Sequence, residues 1–172
     1  GMEAAIVETA GGVHSPSPSG SSQADLLRPL RLPTILVGSS VLGGISSTRA
    51  SFESLRMRGY DIDVVLMFTS PYYGNDTYLA QYFVEHGIPL FTIEKPPARV
   101  ADTPTDVARM QTYYQHTLTT MAEVVQYLAD QHLRRYASLD TLGMRAHQHM
   151  WWPFTQHTRV APQDVTIVDS AH

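Results

Sequence analysis

Residues 33–68, PTILVGSSVLGGISSTRASFESLRMRGYDIDVVLMF, carry the pattern that decides the fold. Pro33 to Val37 is a continuous β-branched run rather than an alternating one, which predicts a strand covered on both faces, as in a parallel sheet. It ends at Gly38. A helix is expected from Ser46 or Ser47, capped by the hydroxyl, with Ile45, Phe52 and Leu55 turned inward and a stop at Gly59. Ile62 to Phe68 is another continuous run and predicts the next strand. Strand, helix, strand in this order is a βαβ unit with an expected right-handed crossover.

The pattern repeats toward the C-terminus, with a helix expected from about Asn75 to His86 and a strand from Ile88 to Ile93, so the fold class is α/β. Asp102 or Thr103 before Pro104 suits a helix start. Apolar residues then recur at Val107, Met110, Tyr114, Leu118, Met121, Val125 and Leu128, a spacing of three and four that predicts one long amphipathic helix. The stripe reads as a surface that packs on the sheet or on a partner subunit rather than as a cofactor site. After Leu139 the texture changes to His, Gln and Trp, with a strand-like run from Val165 to Val168, and the stop at His172 without a helix or cap reads as a cut in mid-domain.

Toward the N-terminus, Ala4 to Glu8 is a short apolar run that enters Thr9-Ala10-Gly11-Gly12, read as a buried strand delivering a carboxylate into a glycine turn. Ser15 to Ser22, rich in Ser, Pro and Gly, predicts a surface loop. Gly1-Met2 reads as a cloning remnant, with no signal pattern beside it.

Composition narrows the function classes. The 172 residues suffice for one compact domain or one domain and the start of another, and 43% hydrophobic with 16% charged residues describe an ordinary globular chain. A net charge of -4 with scattered arginines gives no footprint for nucleic acid or an anionic membrane surface. No apolar stretch approaches bilayer-spanning length. Without cysteine there is no disulfide, thiolate metal site or thiol nucleophile.

Two places suit chemistry. Glu8 at a strand's carboxyl end before Gly11-Gly12 suits a metal-bound carboxylate beside a phosphate, although a strand-ending Glu is also a common accident. Leu42-Gly43-Gly44-Ile45-Ser46 joins strand to helix, leaving unpaired N–H groups and a positive dipole end, an anion cradle in principle and a weak signal alone. The sole lysine, Lys95, precedes Pro96-Pro97, so there is no Gly-x-x-x-x-Gly-Lys-Ser/Thr phosphate loop and Lys95 is a poor Schiff-base lysine. His147, His149 and His157 raise a metal site, but no Cys or spaced carboxylate completes a set, and a structural or solvent-exposed role is the stronger reading. Trp151-Trp152-Pro153-Phe154 is an aromatic patch of the kind that anchors an interior or an interface.

Four ordered stretches together resemble the dethiobiotin synthetase family: Glu8 to Pro16, Asp25-Leu26-Leu27-Arg28-Pro29-Leu30, Pro33 to Gly38, and Leu42-Gly43-Gly44-Ile45-Ser46. The segment His149-Met150-Trp151-Trp152-Pro153-Phe154-Thr155-Gln156-His157 resembles the opening of diaminopelargonic acid aminotransferase, a domain fused behind the synthetase in plants and fungi. The resemblance implies a P-loop NTPase-like parallel sheet with flanking helices. It divides the chain into residues 1–100 as the C-terminal half of a synthetase-like domain, 101–140 as a helical connector, and 141–172 as the start of an aminotransferase-like domain.

The resemblance further implies biotin biosynthesis: ATP- and Mg2+-dependent ureido-ring closure of 7,8-diaminopelargonate with CO2, fused to the pyridoxal phosphate transaminase that makes the diamine. Glu8 would be a Mg2+ ligand, Thr9, Ala10 and Gly11 would line the reacting centre, and Gly43, Gly44, Ile45 and Ser46 would hold the substrate carboxylate, in a homodimer. Trp151 and Phe154 would give the transaminase substrate pocket an aromatic wall. Leu66-Met67-Phe68 stands where the family carries an adenine-reading Asn. The phosphate loop with its lysine, the carbamate-stabilising lysine and a second magnesium carboxylate are absent, so the chain alone is expected to have no turnover and to bind no pyridoxal phosphate. A non-catalytic dimerisation or docking module is the alternative. The expected compartment is mitochondrial or cytoplasmic by resemblance.

Overall fold

The computed structural model describes residues 5–149. The element order is α1 (Gln23–Leu27), a 3-10 turn (Arg28–Leu30), β1 (Thr34–Val37), α2 (Gly44–Met57), β2 (Ile62–Phe68), α3 (Asn75–Glu85), β3 (Leu90–Ile93) and α4 (Thr103–His149). The three strands form one parallel sheet in the order β1-β2-β3, with Ile35 opposite Val64 and Leu66 opposite Phe91. The α/β class expected from residues 33–68 is therefore the observed one.

β2 has neighbours on both sides, and its side chains are buried from Ile62 to Val65, which is why it runs apolar without alternation from Val64 to Phe68, with Asp63 its one charged residue. The core gathers Leu36 of β1, Val65 and Met67 of β2, Phe52 and Leu55 of α2, and Leu79 and Phe83 of α3. Phe52 meets Phe83 edge to face at 5.1 Å, so α2 and α3 lie against each other on the same face of the sheet. Each such fully buried side chain contributes about 1.5–3 kcal/mol. Arg58, just past α2, bonds Asp25 at 2.8 Å and ties α1 to the end of that helix.

Four expectations are corrected. Residues 5–8 form no strand and are exposed, because a strand needs a ladder partner and none pairs with them among the described residues. The edge strand β1 is covered only in part: Leu36 is buried but Val37 is 71% exposed. The cap of α2 is Gly43 in the left-handed region, at φ 79°, with no side-chain hydrogen bond, and the helix begins at Gly44 rather than at Ser46 or Ser47. A glycine reaches that backbone geometry without steric cost, which removes the need for a hydroxyl cap.

The fourth concerns α4. Of the two packings expected for the apolar stripe, on the sheet or on a partner subunit, the first fails at Val107, Tyr114 and Leu118, which are exposed, while Met110 and Met121 are half-buried and Thr117 and Val124 buried. Polar ties at the helix start set this rotation: Asp106 pairs with Arg99 at 2.9 Å, Asp102 accepts from the Thr105 N–H at 3.2 Å, and the Tyr113 hydroxyl donates to the Glu94 carbonyl at 2.9 Å. Thr117 donates back to the Tyr113 carbonyl at 3.1 Å, so its buried hydroxyl is satisfied.

The chain divides into two compact units, Gly1–Val124 and Val125–His172. The described part of the second, residues 125–149, is helical throughout, with internal bonds such as Gln126 to Asp130 at 2.9 Å. The expected strand at 165–168, with Trp151, Phe154 and His157, lies outside the described residues.

Candidate functional site: a cleft at the start of helix α2

Gly38 ends β1 by donating its N–H to the Leu66 carbonyl at 2.7 Å, and the chain then leaves the sheet. Thr48, one turn into α2, accepts from the Ser39 N–H at 2.9 Å and pulls the departing loop back over the helix. The glycine pair that follows has two separate duties. Gly43 takes the left-handed φ; Gly44 allows close approach, since a β-carbon there would sit 2.1 Å from the Ser39 carbonyl oxygen and 2.6 Å from the Asn75 amide nitrogen.

The Gly44 N–H is used by the Val41 carbonyl at 2.9 Å. Ile45 and Ser46, next in the first turn, have N–H groups to which the helix offers no acceptor, at the positive end of the helix dipole. They line a cleft of about 580 Å³ whose α2 wall also carries Leu42, Arg49 and Glu53. Tyr73 and Asn75 contribute to the lining from beyond β2.

Arg49 brings a fixed cation to this wall. Its guanidinium stacks 4.5 Å above the Tyr82 ring, donates to the Tyr78 hydroxyl at 3.4 Å and lies 3.8 Å from the Glu53 carboxylate. Tyr82 first, then Tyr78 and Glu53, hold its pKa above the ordinary arginine value. Its Nε is buried and finds no hydrogen-bond partner among the described residues. Two backbone N–H donors and an arginine on one wall suit a carboxylate or phosphate oxygen.

Of the residues singled out in the sequence, Gly43, Ile45 and Ser46 line the cleft, and Gly44 is the close-packed residue of its turn. Glu8, Thr9, Ala10 and Gly11 are exposed and are not among the cleft's lining residues. They form a local turn: the Gly11 N–H donates to the Thr9 carbonyl at 2.9 Å and the Thr9 hydroxyl to the Gly11 carbonyl at 2.8 Å. Arg49, Tyr73 and Asn75 went unnoticed in the sequence. Helical spacing from Ile45 would have found Arg49 and Glu53. Nothing local points to Asn75, whose partners lie 34 and 36 residues away.

Among the described residues no three His, Cys, Asp or Glu gather as a metal site. Magnesium bound through phosphates needs only one or two carboxylates, and Glu8 fits the chemistry of one of them. Pyridoxal phosphate finds no fit among the described residues, because Lys95 is exposed in the irregular stretch after β3 and is not part of the cleft. No described helix is long and apolar enough to cross a membrane.

Fold and cleft together define an α/β domain with a helix N-terminus and an arginine on the wall of one cleft. The bifunctional dethiobiotin synthetase/adenosylmethionine-8-amino-7-oxononanoate aminotransferase of Emericella nidulans is 46% identical to this chain over 180 residues, covering 100% of the chain and 23% of that protein. The mitochondrial bifunctional dethiobiotin synthetase/7,8-diamino-pelargonic acid aminotransferase of Oryza sativa is 37% identical over 165 residues, covering 96% of the chain and 19% of that protein. The ATP-dependent dethiobiotin synthetase BioD of Phenylobacterium zucineum is 45% identical over 65 residues, 38% of the chain and 28% of that protein. No family model matches. The chain thus spans less than a quarter of either bifunctional relative.

Proposed function

We propose that this chain is the carboxylate-binding part of a dethiobiotin synthetase joined to an aminotransferase, acting in biotin biosynthesis. The observation that carries the reading is the cleft at the start of α2, which Ile45 and Ser46 of the first helical turn line together with Arg49. The names of the relatives support the reaction, and the three-stranded parallel sheet supports a P-loop NTPase-like synthetase domain.

In the whole enzyme the substrate is 7,8-diaminopelargonate, and closure of the ureido ring with CO2 and ATP runs through a carbamate and a mixed carbamic-phosphoric anhydride. This chain binds the carboxylate tail at the α2 cradle and fixes how far the diamine end reaches. Glu8 would hold magnesium, which neutralises phosphate charge, while Thr9, Ala10 and Gly11 border the reacting centre. A homodimer, a mitochondrial or cytoplasmic setting and a 141–172 segment that opens the aminotransferase domain, with Trp151 and Phe154 toward its substrate, complete the reading. Pyridoxal phosphate belongs to that larger domain.

Titration calorimetry with 7,8-diaminopelargonate and, separately, with Mg2+ and ATP tests it. We expect heat from the diamino acid, weakened several-fold by Arg49→Met, and no tight ATP binding. A folded chain that gives no heat with the diamino acid overturns the reading.

A second reading, a dimerisation or docking module without catalysis, is favoured by one observation: Val107, Tyr114 and Leu118 are 50–60% exposed along α4. Sedimentation of the chain beside Leu118→Glu tests it. A monomer that the substitution leaves unchanged removes the dimer form of this reading.

A further inference from the structure

Each residue of the β1–α2 turn carries a carbonyl beside its N–H, and a carbonyl swung toward the cleft would cancel the attraction that the Ile45 and Ser46 N–H groups offer to an anion. Two carbonyls of the turn precede Gly43 and crowd Gly44: that of Val41 accepts from the Gly44 N–H at 2.9 Å, and that of Ser39 stands where a β-carbon on Gly44 would go. Neither is left to choose its own direction. Asn75, the first residue of α3 and 4% exposed, sends its side-chain amide across and donates one hydrogen to Val41 at 2.8 Å and the other to Ser39 at 3.1 Å. Two carbonyl acceptors on one side of the amide fix which end is nitrogen.

The geometry points to Asn75 as the positioning residue of the cradle: it locks the Ser39 and Val41 carbonyls in place so that only N–H dipoles of the turn face the cleft. This rests on the carboxylate-binding reading above. Asn75 acts through the turn and is not a catalytic residue. The chemistry explains the residue type. The job needs two donors on a short neutral stem, because an aspartate would offer two carbonyls another acceptor and set a negative charge beside the anion site, and a serine could serve only one carbonyl. Gly44 is the counterpart of this lock, since any β-carbon there would occupy the space that the Asn75 amide and the Ser39 carbonyl share.

The test compares two probes on the whole chain and on Asn75→Leu, which keeps the branched shape and removes both donors. One probe is 7,8-diaminopelargonate; the other is 2,3-diaminooctane, the same diamine without the carboxylate. Thermal melts are recorded beside the titrations. A residue that merely supports the fold moves the melt and weakens both probes alike, whereas a positioning residue weakens the carboxylate probe by roughly tenfold or more and leaves the diamine unchanged. Equal losses on both probes, or no loss on either, overturn the role of Asn75 while the cradle reading stands. If the unsubstituted chain binds the carboxylate probe no better than the diamine, the cradle reading itself falls, and the inference with it. Should Asn75→Leu fail to fold, Asn75→Ser keeps one donor and must show the same selective loss at smaller size.

Discussion

Two glycine-rich turns in this chain look alike in sequence and are held in different ways. Thr9 to Gly12 follows an apolar run and closes on itself through bonds between residues two apart. Gly38 to Ser46 also follows an apolar run, but it is fastened by Leu66, Thr48 and Asn75, which come from β2, α2 and α3. The first turn is exposed and the second forms one wall of a cleft. A glycine turn becomes a site when distant elements decide where its dipoles point.

The largest effect that would sharpen this comparison is expected at Gly44. Gly44→Ala forces a β-carbon into the Ser39 carbonyl at 2.1 Å, and backbone cannot move aside as a side-chain tip can. We expect a loss of about 3 kcal/mol in denaturant unfolding and no measurable binding of 7,8-diaminopelargonate. Gly11→Ala meets only the Ser15 side chain, its hydroxyl at 2.6 Å and its β-carbon at 3.1 Å, together with the strain of φ 106°. It should cost about 1–2 kcal/mol and leave the binding of that ligand to the α2 cleft unchanged. A Gly11→Ala chain that destabilises more than Gly44→Ala would break the comparison.

A smaller effect is expected from acid. Asp25 lies just after the first region and is tied to α2 by Arg58, whose hydrogen bond, with those of Ser22, lowers the carboxyl from 3.8 to about 2. Because the folded value lies below the unfolded one, the stabilisation is fully present above pH 3.8 and is lost as pH falls through about 2. Arg58→Met should flatten the slope of stability against pH in that window, as read by urea midpoints at successive pH values. An unchanged slope would show that the tie does not contribute. The smallest effect is expected at Glu8, an exposed residue outside any regular element. Glu8→Ala should shift the unfolding free energy by less than about 0.5 kcal/mol and still weaken any magnesium-dependent ligand.

Much of the fold was legible before any coordinates, and for a local reason. Val64 to Phe68 is apolar without alternation because β2 is central in a parallel sheet, and the helix between it and β1 shows its inward Phe52 and Leu55 at helical spacing. The strand-to-helix turn at Gly43 to Ser46 was legible too, and with it the first-turn N–H groups that a helix start must leave without an internal acceptor. The strand expected at Ala4 to Glu8 was not formed in residues 5–8, because apolar content makes a strand only where a neighbour completes the ladder. The face of α4 that turned inward also escaped the apolar stripe, since Asp106 and Tyr113, held by polar bonds, set the rotation of its first turns.

The sequence by itself determined the α/β class, the order of β1, α2, β2, α3, β3 and α4, and the glycine turn that opens α2, because each depends on spacing within a few residues. Tertiary structure alone decided that Asn75 reaches across to donate to two carbonyls of that turn and that Glu8 to Gly11 do not line the cleft. Those depend on hydrogen bonds and packing between segments more than thirty residues apart, which no local pattern encodes.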